Sequence, residues 1–414
     1  MNINSDPAGK VREAKAGVKG RCKMKKSIII ICILMMIAAA GVFAASEDVD
    51  VYVYLYNTSL TNSGQLDILQ NMSEARLSGA GEFYAAALKR LLSEYKNIKD
   101  TTEMNAANDQ AILLASLLGA EKYAKAADDL WKVQTGFSAP LVKAEALMAL
   151  GKIRATAYLP QVIRVLETLN TSPTPDRLNG ERVAFGAIIA LEKFQDPSGY
   201  LPVFFASVGW YSKRITDQAR NSLPLIAKDP VPYMVEVIKG AGYDYPTKFA
   251  ALKTIETAKL DSKDKAAVAV TAFAEGWRGS SADVQLKTTL ADIRKMAMNM
   301  INRYKTTDEA VYPLLEKSFS NGYDRQEILE AIATLASLGT DESAQLLSKF
   351  LTVLNEKRRN DNIKQEEEQL VRAIIPAIGQ AGRALSRQSL IQVGASGWPP
   401  AVKKLADDAM KKLR

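Results

Sequence analysis

The run Ala144–Val165, AEALMALGKIRATAYLPQVIRV, carries two apolar stripes separated by a glycine and a proline. Ala144, Leu147 and Met148 fall three and four residues apart, which puts them on one face of an α-helix, and this stripe ends at Leu150-Gly151. Pro160 follows near the start of a second helix, where its missing N–H costs nothing. Val162, Val165, Leu166 and Leu169 then continue at i, i+3, i+4, i+7. The reading is a helix hairpin with one apolar stripe per helix. Such a unit cannot bury both stripes alone and requires neighbours of the same kind.

The same design returns downstream. Ile328, Ala331, Ile332 and Leu335 lead to Gly339, and Leu347, Phe350, Leu351 and Leu354 form the partner stripe. Prolines recur near second-helix starts at Pro202, Pro232 and Pro313, and Thr306-x-x-Glu309 has the form of a capping box. Glycine–aromatic pairs recur along the chain, six of them being Gly136-Phe137, Gly209-Trp210, Gly242-Tyr243, Gly276-Trp277, Gly322-Tyr323 and Gly397-Trp398. Their separations of 73, 33, 34, 46 and 75 residues are one or two copies of a period near 37. Glycine enters the left-handed conformation without a Cβ penalty, so these pairs read as recurring helix stops.

With Ala187–Phe205 (AIIALEKFQDPSGYLPVFF) and Ile332–Leu347 (IATLASLGTDESAQLL), the opening stretch resembles HEAT repeats, particularly the short bacterial kind, over residues 105 to 412. The shared pattern is A-x-x-A-L-x-x-L-G followed by a proline-started helix, and residues 250–300 depart from it most. The resemblance implies an all-α fold, a right-handed α-α superhelix or HEAT-like solenoid, with ligands held on the inner face made by the second helices. Arg164 and Glu167 would sit on that face.

Ahead of the repeats the chain divides by composition. Residues 1–23 are a polar extension, and Met24 competes with Met1 as the true start. Residues 24–44 read as a signal peptide: Lys25-Lys26 is basic, Ile28–Phe43 is apolar, and Val42-Phe43-Ala44 places the cleavage before Ala45. An uncleaved membrane anchor is the competing reading, since residues 27–45 nearly reach spanning length. Residues 45–63 form an arm before the helical repeat domain at 64–414. Within it Val49, Val51, Val53 and Leu55 alternate with Asp50, Tyr52, Tyr54 and Tyr56, a period of two that predicts a short extended strand. Its tyrosines, Tyr52, Tyr54 and Tyr56, are the candidates for strand addition to a partner.

The residues absent narrow the chemistry. The chain has no histidine, and both cysteines, Cys22 and Cys32, precede the cleavage site. Imidazole-based acid–base catalysis, thiol nucleophiles and the common zinc ligand sets are thereby excluded. The acidic clusters Asp128-Asp129, Glu366–Glu368 and Asp407-Asp408 lie on helical patterns where adjacent side chains diverge by ~100°. The net charge of +8 is concentrated in residues 1–44, which carry +6, leaving +2 on the rest and no electrostatic footprint for nucleic acid. No cofactor or metal is implied.

Binding is left as the expected activity. The candidates for partner contact are the inter-repeat aromatics and their neighbouring arginines: Trp210, Tyr211, Tyr243, Trp277, Arg278, Tyr323 and Arg325. The competing role for these rings is closure of each helix end against the next repeat. The expectation is an exported, periplasmic or envelope-associated scaffold that presents a repeat surface to another protein, with membrane contact only through an uncleaved leader. The alternative is an envelope carbohydrate-binding protein or carboxylate-based hydrolase on the same frame.

Overall fold

Amphipathic stripes that recur along a chain must face one another, and the helices do so in pairs. The computed structural model describes residues 49–279 and 282–414, and all regular structure among them is helical. The expected extension, leader and cleavage site at Ala44 and Ala45, with Cys22 and Cys32, lie outside the described residues. No helix among those described is long and apolar enough to cross a membrane.

Helix α1 spans residues 49–58. It is followed by α2 (Asn62–Glu74), α3 (Gly81–Glu94), α4 (Thr101–Ala120), α5 (Ala127–Gly136), α6 (Pro140–Lys152), α7 (Leu159–Thr171), α8 (Arg177–Phe194), α9 (Tyr200–Val208) and α10 (Lys213–Ile226). After these come α11 (Val231–Lys239), α12 (Tyr245–Thr257), α13 (Ser262–Arg278), α14 (Val284–Tyr304) and α15 (Val311–Asn321). The chain finishes with α16 (Arg325–Leu338), α17 (Asp341–Arg359), α18 (Gln365–Ala381), α19 (Arg387–Ala395) and α20 (Pro400–Met410).

These helices form two compact units. One runs to Pro202 and takes in Tyr211–Gln218; the other comprises Val203–Trp210 and Ala219–Arg414. In the first, α2, α4, α6 and α8 each pack on the next, while α3, α5 and α7 lie against them. In the second, α12, α14, α16, α18 and α20 make one such row and α11, α13, α15, α17 and α19 the other. Each unit is therefore a ladder of helix pairs, as the stripes demand. On α17, Leu347, Phe350, Leu351 and Leu354 are all buried; on α7, Val162, Leu166 and Leu169 are buried while Arg164 and Glu167 face solvent. Pro160, Pro202, Pro232 and Pro313 each occupy the first turn of a helix, where no N–H is needed.

Some of the glycines serve close helix packing as well as helix ends. Gly151 lies inside α6. A Cβ there would come 2.6 Å from the Ala190 Cα on α8, and one on Gly186 of α8 would come 2.5 Å from the Ala144 carbonyl oxygen on α6. The two helices touch backbone to backbone at both ends of their contact, a separation only glycine allows. Gly119 against Ala149 and Gly379 against Ala409 repeat the arrangement less tightly, at 3.2 and 3.1 Å from the alanine Cα. The left-handed stop is found at Gly339, Gly382 and Gly397, with φ of 64°, 70° and 71°. Gly136 is the last residue of α5, and Gly209 and Gly322 directly follow α9 and α15. The helices therefore stop at these pairs, at Gly136 and Gly322 without the left-handed turn, whereas Gly276 lies inside α13.

Two local expectations are corrected. Residues 49–58 are helical, not extended. Val49, Tyr52, Val53 and Tyr56 are also spaced i, i+3, i+4, i+7, and these are the residues that turn inward, whereas Val51, Tyr54 and Leu55 stay exposed. Burial of Tyr56 decides the contest: its ring stands edge-on to Phe83 at 5.2 Å, and its hydroxyl donates to Gln110 Oε1 at 3.0 Å. Gln110 Nε2 in turn donates to the Asn62 carbonyl at 2.7 Å, tying α4 to the start of α2. Tyr52, Tyr54 and Tyr56 thus form no strand edge. Thr306 and Glu309 cap no helix either; Thr306 Oγ1 accepts the Asp308 N–H in a turn, and α15 begins later at Val311.

Alanine at Gly151 or Gly186 is expected to cost about 1–3 kcal/mol each through overpacking, against backbone that cannot swing away. Urea melts of Gly151→Ala and Gly186→Ala check this, and a gain in stability for either would refute the close-approach account.

Burial pushes the Tyr56 hydroxyl up to about 12, with Arg90 lowering and Glu94 raising it further. Burial, then the Glu121 charge, does the same for Tyr84. Both native values lie above the unfolded one, so the stabilisation they reflect is intact below pH ~10 and is lost as pH rises toward 12. Absorbance titration at alkaline pH is expected to show both tyrosines protonated past pH ~10, with Tyr56→Phe and Tyr84→Phe each removing one late step.

Candidate functional site

The first unit carries a groove of about 550 Å³ along α4, α6, α8 and the entry to α10. Its floor is Ile112, Ala144, Met148 and Phe185. The close approach of Gly186 to Ala144 brings α6 and α8 together at this level. The rim is set by helix starts. Pro140 opens α6 and Asp176 caps α8, accepting the Asn179 N–H at 3.1 Å. Leu141 and Leu178 are therefore the second residues of their helices, and they stand 51% and 58% exposed at the mouth. The groove lies on the first-helix row, not on the second-helix face that the family resemblance implies.

Charge around the groove is unevenly committed. Glu181 is buried and accepts the Ser212 N–H at 2.7 Å and the Ser212 hydroxyl at 2.6 Å, with Arg177 at 3.4 Å. Burial by itself would raise the Glu181 carboxyl, but the Ser212 donations and Arg177 together bring it below its ordinary value. It is an anion that fastens the entry of α10 to α8. Arg214 sits over the Phe185 ring, 5.6 Å from its centre, and Arg182 Nη1 donates to Asn179 Oδ1 at 3.1 Å. Among the described residues, neither guanidinium faces a carboxylate. The groove thus combines apolar lining with the Ser212 hydroxyl, held by Glu181, and two guanidinium groups.

The aromatics singled out by sequence are dispersed. Tyr211 is buried, its hydroxyl donating to Asn170 Oδ1 at 2.9 Å, and burial followed by the Glu181 charge pushes that hydroxyl above its ordinary range. Trp210 is half-buried. Tyr243 stacks on Phe205 at 5.4 Å. Phe137 stacks on Tyr95 at 3.7 Å, and Trp398 donates from Nε1 to Asn355 Oδ1 at 2.8 Å; these two rings close helix ends.

Trp277 and Tyr323 do converge, in the second unit, on a pair the sequence reading missed, while Arg278, beside Trp277 in sequence, joins a separate pair. Arg294 and Glu327, 5% and 0% exposed, make a two-pronged bridge at 2.6 and 2.8 Å. Arg294 also donates to the Gly276 carbonyl at 2.9 Å and lies 4.2 Å from the centre of the Trp277 ring, with Lys317 at 4.5 Å. The Tyr323 N–H donates to Glu327 Oε2 at 2.9 Å, leaving its ring 44% exposed. Arg278 reaches Glu275 at 3.3 Å, and Glu275 pairs with buried Lys248 at 2.5 Å. Arg325 is exposed on the first turn of α16.

Gly276 serves this cluster: a Cβ there would lie 2.7 Å from Arg294 Cγ. The signal was an arginine within the stripe Leu290, Ile293, Ala297, Met298 and a glutamate in line with Ala331 and Leu335. A charge on the buried face of a helix requires an opposite charge across from it.

The acidic clusters are each engaged locally. Asp128 accepts the Tyr158 hydroxyl at 2.7 Å, Asp129 pairs with Lys132 at 2.8 Å, and Asp408 with Lys411 at 2.9 Å. Glu367 pairs with Lys357. Among the described residues, no group of three or more acidic, histidine or cysteine side chains is placed to hold a metal ion. No protein-family model matches the chain, and no curated protein matches it.

Removing one member of a buried ion pair leaves the other charge uncompensated. Glu327→Ala is therefore expected to destabilise the second unit by about 3–5 kcal/mol, and Glu327→Ala with Arg294→Met by clearly less than the sum of the two single changes. Denaturant melts of the two single variants and the double variant test this. Additive losses would show that the pair does not act as a unit.

Proposed function

We propose that this chain is an exported, non-catalytic scaffold of the cell envelope, a right-handed HEAT-like superhelix that docks another protein. The observation that carries the reading is the groove of the first unit, with Leu141 and Leu178 exposed at matching positions on successive helices. Large apolar side chains exposed beside an apolar cleft supply the kind of surface that protein interfaces cover. Export rests on the basic and apolar run before Ala45. The lack of histidine, and the engagement of each acidic cluster by its own neighbours, favours binding over hydrolysis.

Both leucines are surface residues, so Leu178→Asp is expected to change stability by no more than about 0.5 kcal/mol. In crosslinking pull-downs from the native envelope, with intact-mass analysis of the bait, Leu141→Asp and Leu178→Asp are each expected to cut recovery of the specific partner at least about tenfold. A processed bait starting at Ala45 would place the protein beyond the membrane. Recovery of the same partners by all three baits would move the docking surface elsewhere, and recovery of glycan without protein would favour the carbohydrate reading.

A further inference from the structure

Four cations on the helices around the groove are paired with carboxylates, while Lys143 on α6 and the two arginines that line the groove make no ion pair among the described residues. Lys152, Arg177, Lys193 and Lys213, on the same helices, each face a carboxylate: Glu145 at 3.4 Å, Glu181 at 3.4 Å, Glu192 at 2.9 Å, and Asp217. Arg182 and Arg214, which line the groove, face none; one is held by an amide oxygen and the other rests over a ring. The groove's own carboxylates are committed as well, Glu145 to Lys152, and Glu181 to Ser212 and Arg177. The uncompensated charge at this apolar cleft is therefore positive, on two guanidinium groups whose planar forks match carboxylates.

Position adds to this. Arg182 comes one turn after Leu178 on α8, and Arg214 sits on the first turn of α10, beside buried Ile215. An occupant that filled the floor over Met148 and Phe185 would bring its flanks to both arginines. Arg214 has only a weak hold on Phe185, at the outer edge of a cation–π contact, so pairing with an incoming carboxylate costs it little.

Building on the docking reading above, we infer that the groove takes an acidic-apolar segment of the partner protein. The segment has at least two large apolar side chains for the floor, flanked by Asp or Glu that pair with Arg182 and Arg214. Arginine at the margin of an apolar cleft is a frequent anchor in protein interfaces, and charge complementarity selects among apolar segments that would otherwise fit alike.

The test is selection of a random twelve-residue displayed-peptide library on the immobilised full chain, counter-selected on Leu178→Asp. Enriched peptides are expected to carry a net negative charge with paired large apolar residues. Their affinity should fall about tenfold in Arg182→Gln and again in Arg214→Gln. Arg214→Lys should retain part of the binding, and the arginine-dependent part should weaken with added salt. Thermal melts establish that each variant is folded.

The outcomes separate the two claims. Peptides that depend on Leu178 but show no acidic bias, and bind the glutamine variants unchanged, would overturn this inference and leave the groove as a docking site. If no peptide is enriched, or the enriched ones bind Leu178→Asp equally well, the groove reading falls and this inference with it.

Discussion

Backbone contact between successive first helices is the constraint on which the first unit is built. Glycine inside a helix is unfavourable by about 1 kcal/mol relative to alanine, so its place in the last turn of α6 and the middle of α8 requires an offset. The offset is proximity. With Gly151 under Ala190 and Gly186 under Ala144, the two backbones approach until no Cβ fits between them. The stripes beside them, with Leu147, Leu150, Ile188 and Leu191 all buried, then close without a gap. Because these contacts involve backbone atoms at both ends of the crossing, the pairing of α6 with α8 has little freedom to slide. The floor of the groove inherits that rigidity, since Ala144 belongs to both the contact and the lining.

The second unit meets the same requirement with charge. Where α13, α14 and α16 come together, the small residue Gly276 admits not an alanine but the stem of Arg294, whose head is then neutralised by Glu327. Such a bridge contributes less net stability than an apolar contact of equal volume, because both ions lose their water. What it adds is discrimination: Arg294 satisfies Glu327 and the Gly276 carbonyl together only when three helices are in register. Trp277 fits the same frame. Its ring packs against Arg294 and Lys317 as part of the junction, so a glycine–tryptophan pair that resembles a helix stop is a packing device inside α13.

Much of the frame was legible in the chain because it depends on period and punctuation alone. The stripes of α7 and α17, the prolines in the first turns of α7, α9, α11 and α15, and the stop at Gly339 all follow from local rules. The misreadings came where one local pattern admits two structures. Val49 to Tyr56 satisfies periods of two and of 3.6, and the deciding fact is a hydroxyl partner, Gln110, 54 residues away. Gly151 satisfies both a stop and a close approach, and Ala190 decides between them. Arg294 and Glu327 break their stripes locally and repair the break only across helices. Each tie is resolved by a contact distant in sequence, which no reading of neighbouring residues can supply.

The groove was illegible for the same reason, and its chemistry explains why the aromatics drew attention instead. Aromatic rings beside glycine are conspicuous in a sequence, whereas Leu141 and Leu178 are ordinary leucines until helix starts place both at one opening. In the fold the order reverses. Tyr211, Phe137 and Trp398 are spent on burial, while the two leucines and the two arginines near them keep unused capacity, apolar surface in one case and charge in the other. Nearby Arg177 and Lys213 have carboxylate partners, in contrast to Arg182 and Arg214. That both kinds of capacity remain open at one cleft is the physical argument for recognition at this place on the molecule.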